Sequence, residues 1–208
     1  MRGGDGDDRL FLGSGNDRGV AGAGNDQMNG GGGNDMLHGG QGDDTLRGGQ
    51  GADRVYGGQG SDSIRAGQGN DTVFGGSGAD RIRGDLGNDQ ISLGIDDDRA
   101  FGGSGDDSLA GGDGEDTLNG GMGDDLLRGG AGRDTFIFAS GRGNDRISDF
   151  NVQDDQLNLR GFSFTDREQA LAFGMQSDGD FIFSFEDGST LTLHNISLAD
   201  LNEAVFLF

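Results

Sequence analysis

Asp8 opens a series of carboxylates that recurs every nine residues. It continues through Asp17, Asp26, Asp35, Asp44, Asp53, Asp62, Asp71, Asp80, Asp89, Asp98, Asp107, Asp116 and Asp125 to Asp134, fifteen aspartates in one phase without an insertion. Each closes a glycine-rich hexapeptide, and two residues later an apolar side chain usually follows. Gly39-Gly40-Gln41-Gly42-Asp43-Asp44-Thr45-Leu46-Arg47 is a representative unit. Within the unit, positions 2 and 4 are glycine in fourteen of fifteen copies, with Asp85 and Asp96 the exceptions. Glycine there permits positive φ and a tight turn whose carbonyl oxygens can converge. Carboxylates and carbonyls are hard oxygen donors, so the chemistry this pattern offers is the binding of hard cations. Zinc would want nitrogen or sulfur.

The elements that position these groups follow from the rest of the unit. Positions 7 to 9 read polar–apolar–polar, a minimal strand with one inward side chain. The inward set is Leu10, Met28, Leu37, Leu46, Val55, Ile64, Val73, Ile82, Ile91, Ala100, Leu109, Leu118, Leu127 and Phe136, and Gly19 is the one failure. A turn and a short strand, taken twice, close one coil, so that each coil holds two repeats. The expected fold is therefore all-β, a right-handed parallel β-roll in which turns n and n+2 stack on the same edge, followed by a mixed C-terminal cap. Residues 3–137 hold the fifteen repeats; residues 138–208 lose glycine and gather ten of the fourteen phenylalanines.

Composition narrows the function. The 208 residues include 47 glycines but no proline, cysteine or lysine. A nine-residue period without proline is not collagen, and its strictness argues for a solenoid rather than a flexible linker. A net charge of −22 repels nucleic acid and anionic membranes and attracts cations. No apolar run is long enough for a membrane span. Met1-Arg2-Gly3-Gly4 does not read as a secretory leader, since an apolar stretch is missing. Without cysteine, no disulfide staples the chain, and another crosslink must.

The nonapeptide G-G-x-G-x-D-x-U-x, with U apolar, resembles the calcium-binding repeat of the RTX family, and the resemblance spans Gly3 to Phe208. It implies that Ca²⁺ sits between stacked turns. Carried onto one gap, the family pattern implies carbonyls of Gly40 and Gly42 with Asp44 from one turn. Carbonyls of Gly57 and Gln59 with Asp62 come from the turn two repeats on. Each interior aspartate then bridges two ions. Eight turns on one edge and seven on the other leave up to about thirteen gaps, of which those touching Asp85 and Asp96 are expected to be weakest. Ordering a long glycine-rich backbone outweighs what such small inward side chains return, so the repeats are expected to fold only with calcium.

The tail begins with a sixteenth, degenerate repeat, Gly141-Arg142-Gly143-Asn144-Asp145-Arg146-Ile147, shifted by two residues. Thr165-x-x-Glu168 reads as a capping box opening a helix to about Phe173. Phe181–Phe185 and Thr190–Leu193 read as a hairpin, and Ser197–Leu201 as another helical turn. One role for this tail is to cover the open end of the roll. It also resembles the C-terminal target region of type I secreted RTX proteins, in its run from Asp145 to Phe150 and its apolar end, Val205–Phe208. That resemblance implies a secreted, extracellular protein whose partner is the type I secretion machinery.

No catalytic constellation emerges: His38 and His194 have no evident nucleophile to serve, and the carboxylate spacing is accounted for by the cation. Enzymes of the family carry catalysis in a separate upstream domain. Two rows outside the repeat core stand apart. Arg47, Arg65 and Arg83 recur at every second repeat, with Arg81 and Arg99 beside them; His38, Tyr56 and Phe74 share the same spacing on the opposite face. These rows suggest the alternative of a calcium-dependent module for acidic polysaccharide, attached to a secreted carbohydrate-modifying enzyme. The competing reading is that the arginines only offset nearby aspartates.

Overall fold

The computed structural model describes residues 1–139 and 143–208. It is a parallel β-roll of two sheets, one of twelve strands and one of ten. Consecutive repeats alternate between the sheets, so each strand pairs with the one two repeats away. Leu37 lies against Val55, Leu46 against Ile64 and Ile64 against Ile82, all in parallel register. The inward set expected from the sequence is buried throughout, from Leu10 to Phe136. At Gly19 the missing side chain is replaced by its neighbours: Met28 Sδ and Leu12 Cδ1 close over the space a Cβ would take.

The strands are longer than positions 7 to 9. Thr45–Gln50 and Arg54–Gln59 each cover six residues and carry on into positions 1 to 3 of the next repeat. Position 1 therefore also points inward. It is usually glycine because a Cβ on Gly39 would collide with Asp44 Oδ2 and come within 2.6 Å of the Gly57 carbonyl oxygen. Ala66 and Leu93 occupy this position elsewhere and are fully buried.

Both sheets continue into the tail. Asn144–Ile147 pairs with Leu126–Ala131, placing Ile147 beside Leu127, which is the two-residue shift read from the sequence. Gly141 and Arg142 of that unit lie outside the described residues. Gln156–Asn158 extends the other sheet and receives Phe206–Leu207 at its edge. The hairpin forms between Asp180–Ser184 and Thr190–Leu193, with Gly174–Ser177 as a third antiparallel strand.

Two expectations for the tail are corrected. The helix covers only Arg167–Leu171, and Asp166 rather than Thr165 caps it, its Oδ1 taking the Gln169 N–H at 2.9 Å. The ionised carboxylate is the stronger acceptor, so the cap shifts by one residue. Ser197–Leu201 is a turn, held by Asp200 accepting from the Ser197 N–H at 3.0 Å; the helical turn falls later, at Glu203–Val205. Phenylalanine rings fill the cap, with Phe162 stacked on Phe185 at 4.2 Å and Phe138 on Phe185 at 5.2 Å. Among the described residues, no helix is long and apolar enough to cross a membrane.

Candidate metal centre

Each edge of the roll is a column of stacked turns, and two ladders run along it in opposite senses. In the inner ladder, Oδ1 of each position-6 aspartate accepts the backbone N–H of the aspartate one coil earlier. Asp26 accepts from Asp8 at 2.7 Å, Asp44 from Asp26 at 2.8 Å and Asp62 from Asp44 at 2.8 Å. In the outer ladder, position 5 reaches the other way. Asn34 N–H donates to Asn16 Oδ1 at 2.8 Å, and Asp43 N–H to Asn25 Oδ1 at 2.9 Å. Position 5 was not singled out from the sequence, although its prevalence of Asn and Asp was visible there.

The inner ladder outlasts the repeats. Asp145 Oδ1 accepts from Asp125 at 3.1 Å, and Asp155 Oδ1 from Asp134 at 2.9 Å. Asp149 then caps the end, taking the N–H groups of Gly129 and Gly130 at 3.0 and 3.1 Å. Asp155 had no visible signal, because its interval departs from the nine-residue period.

The second oxygen of the position-6 carboxylates defines the site. Oδ2 of Asp8 through Asp116, and of Asp134, is sealed from solvent and has no hydrogen-bond partner. The position-6 side chains are buried from Asp26 to Asp134; Asp8 and Asp17, at the open end, are half-buried. An ionised carboxylate oxygen without a donor is among the costliest groups to bury. Burial accordingly drives ten of these acids, between Asp44 and Asp134, upward. Asp44, Asp71, Asp98, Asp107 and Asp134 are pushed up to about 7, and neighbouring carboxylates add to the effect. Asp53, Asp62, Asp80, Asp89 and Asp116 are raised to about 6, again chiefly by burial.

Carbonyls converge on the same gaps. A Cβ on Gly58 would meet the Gly40 oxygen and one on Gly60 the Gly42 oxygen, so both carbonyls face the following turn. The Gly57 carbonyl faces back toward Gly39, and the Gln59 carbonyl accepts the Gly42 N–H at 2.8 Å. The gap between residues 39–44 and 57–62 thus gathers the six residues named for it from the sequence. Among the described residues, no three His, Cys, Asp or Glu side chains form a metal cage. A cation here would be held largely by backbone oxygen, and unpartnered acceptors in an oxygen-only setting fit a hard ion such as Ca²⁺.

Where glycine is lost, the turn survives. Asp85 and Asp96 take φ of 76° and 79°, the left-handed conformation their glycine counterparts use. Asp85 pairs with the Arg65 guanidinium. Asp96 Oδ2 accepts the Gly78 N–H at 3.0 Å, a bond that a position-3 carbonyl takes in the preceding coil, where Gly60 donates to Ser77 O at 2.8 Å. His38, Tyr56 and Phe74 do form a row, but their faces are stacked on one another at 4.4 and 5.1 Å. The faces between neighbours are therefore closed to a stacking sugar.

The family to which the repeats are matched agrees with this geometry. A family model described as the RTX calcium-binding nonapeptide repeat (4 copies) matches residues 1–28, 13–46, 29–64, 56–91, 65–100 and 101–136. Endo-1,3-1,4-beta-glycanase EglC of Rhizobium meliloti (strain 1021) is 39% identical over 72 residues, 35% of this chain and 15% of that protein. Among solved structures, the extracellular lipase LipA from Serratia marcescens aligns with TM-score 0.42 and 22% identity, over 84% of this chain and 40% of the lipase. The AlgE6R3 subunit of the Azotobacter vinelandii mannuronan C5-epimerase aligns with TM-score 0.48 and 28% identity, over 58% of this chain and 78% of that subunit. This chain spans less than half the length of the glycanase and the lipase. The repeat β-roll is a structural, ion-holding fold and not a catalytic one. With the family model covering more than half of its residues, the chain belongs to the RTX calcium-binding nonapeptide repeat family.

Proposed function

We propose that this chain is a calcium-driven folding module of a secreted protein, exported unfolded by a type I route and ordered outside the cell. The carrying observation is the column of sealed, unpartnered Oδ2 atoms running from Asp8 to Asp116. In the proposed site, Ca²⁺ lies between stacked turns. Gly40 O, Gly42 O and Asp44 hold it from one side, and Gly57 O, Gln59 O and Asp62 from the other. The equivalent gaps along both edges use the remaining aspartates, for up to about thirteen ions. Where calcium is scarce, the carboxylates repel and the glycine-rich chain stays unfolded; where it is abundant, binding free energy becomes folding free energy.

The cap supports the export half of this reading. Val205 is fully buried, and Phe206 pairs with Leu157 at the sheet edge. A signal carried by Val205–Phe208 is therefore readable only while the tail is unfolded. The test deletes these four residues and measures both export through a type I system and folding in calcium. Loss of export is expected, together with a modest rise in the calcium midpoint because the edge strand is gone. Undiminished export would remove the signal assignment, whereas β structure that is unchanged by chelation would remove the calcium assignment.

A further inference from the structure

The ten-stranded sheet carries a row of arginines, most of which have no acidic partner among the described residues. Arg47 lies in register with Arg65, and Arg65 with Arg83. Phe101 continues the row beyond Arg83, and Arg81 lies beside Arg99 in a parallel row. All five arginines are exposed and line one shallow groove. If they merely balanced the aspartates, each would sit in an ion pair. Only Arg65 does, with Asp85; Arg47, Arg81, Arg83 and Arg99 have no acidic partner among the described residues. Like charges stacked in register repel unless something negative lies across them.

We infer that this groove is a binding site for a linear acidic glycan, a chain with a carboxylate on successive sugars. Three features favour that ligand. Guanidinium forks match carboxylates bidentately. The arginines repeat at the spacing of neighbouring strands, roughly 4.8 Å, so they can follow a regularly charged chain laid across the strands. The groove is also lined by Thr45, Ser63, Thr117 and Asn119, short hydroxyl and amide groups suited to sugar hydroxyls. Single-stranded nucleic acid fits less well. It needs a series of aromatic platforms, and this groove offers one ring, Phe101.

The site exists only on the folded roll, so binding is measured on full-length protein at buffered free calcium, with circular dichroism confirming the fold. The probe is oligogalacturonate of defined length; neutral dextrin and oligothymidylate are comparators. Arg47→Ser, Arg83→Ser and Arg99→Ser are combined in one variant. A control variant makes the same charge change outside the groove, at Arg9, Arg54 and Arg133. The expected result is at least a tenfold loss for the groove variant, a change within about twofold for the control, and partial retention when the groove arginines become lysine. Equal losses in the two variants, absence of galacturonate binding, or oligothymidylate binding as tight as galacturonate would each overturn the proposal. Because the fold is verified in every arm, these failures are distinct from a failure of calcium-driven folding.

Discussion

The roll and the cap share two continuous sheets but bury opposite kinds of side chain. The roll buries one or two apolar residues per strand, many glycines and, along each edge, a column of carboxylates. In the cap, Phe138, Phe150, Phe181, Phe183, Phe185 and Phe206 are buried against one another and against Leu157 and Leu159. The cap can be held by its own hydrophobic contacts. The roll contains buried carboxylate oxygens that its own atoms leave unpartnered, which suits it to take up an ion from outside. One chain thus joins an end packed by apolar rings to a body packed around carboxylates.

Chelation should separate the two most strongly. In excess chelator at neutral pH, circular dichroism should lose most of its β signal, because most strands belong to the repeats. Near-ultraviolet signals from the phenylalanine-rich cap should change less. A roll that keeps its strands in chelator would erase the contrast.

Acidification should sharpen it next. Aspartates such as Asp44, Asp53 and Asp71 are pushed up by burial to about 6 to 7, above the 3.8 of an unfolded aspartate. The calcium-free folded state therefore holds more protons than the unfolded state between these values. Its stability is highest below about pH 4 and is lost as pH rises through 4 to 7. In chelator, lowering the pH from 7.5 to 4 should raise β content. With calcium present the trend should reverse, since protons compete for the same oxygens. A denaturation series across this range checks both signs.

Point changes give smaller effects. Phe185→Ala removes a buried ring at the centre of the cap stack and should cost about 3–5 kcal/mol, measured by denaturant unfolding in calcium, without altering how many ions bind. Asp71→Asn keeps the Oδ1 that accepts the Asp53 N–H but removes the orphaned charge. It should raise the calcium midpoint and cost about 1–3 kcal/mol. Asp17→Asn, at the half-buried open end, should cost less, and equal effects at Asp71 and Asp17 would contradict the dependence on burial. Asp85→Gly should be smallest, because Asp85 already holds the glycine-type turn; calcium titration of the variant should lie close to the parent.

Much of the site was legible because the repeat makes distant contacts look local. Once the period is nine and each coil holds two repeats, pairs such as Asp44 and Asp62 follow by counting. The inward residues follow from strand alternation. The tail was legible only in part. Its hairpin has local alternation and a local turn, and was read correctly. Its helix cap was misplaced by one residue because Thr165 and Asp166 offer adjacent acceptors, and only geometry chooses between them.

By itself, the sequence determined the period, the turns, the residues facing inward and the affinity for a hard cation, since each follows from spacing and from what glycine and aspartate permit. Tertiary structure decided the rest. It extended the strands into positions 1 to 3, closed Met28 and Leu12 over Gly19 and filled one turn ladder with position 5. It carried the aspartate ladder on to Asp155 and set Phe206 beside Leu157, on a strand far earlier in the chain. It also paired Arg65 with Asp85 while leaving Arg47, Arg81, Arg83 and Arg99 without an acidic partner among the described residues. The physical reason is common to these cases. Spacing prescribes contacts that repeat, whereas a contact made once depends on which groups meet when the sheets close.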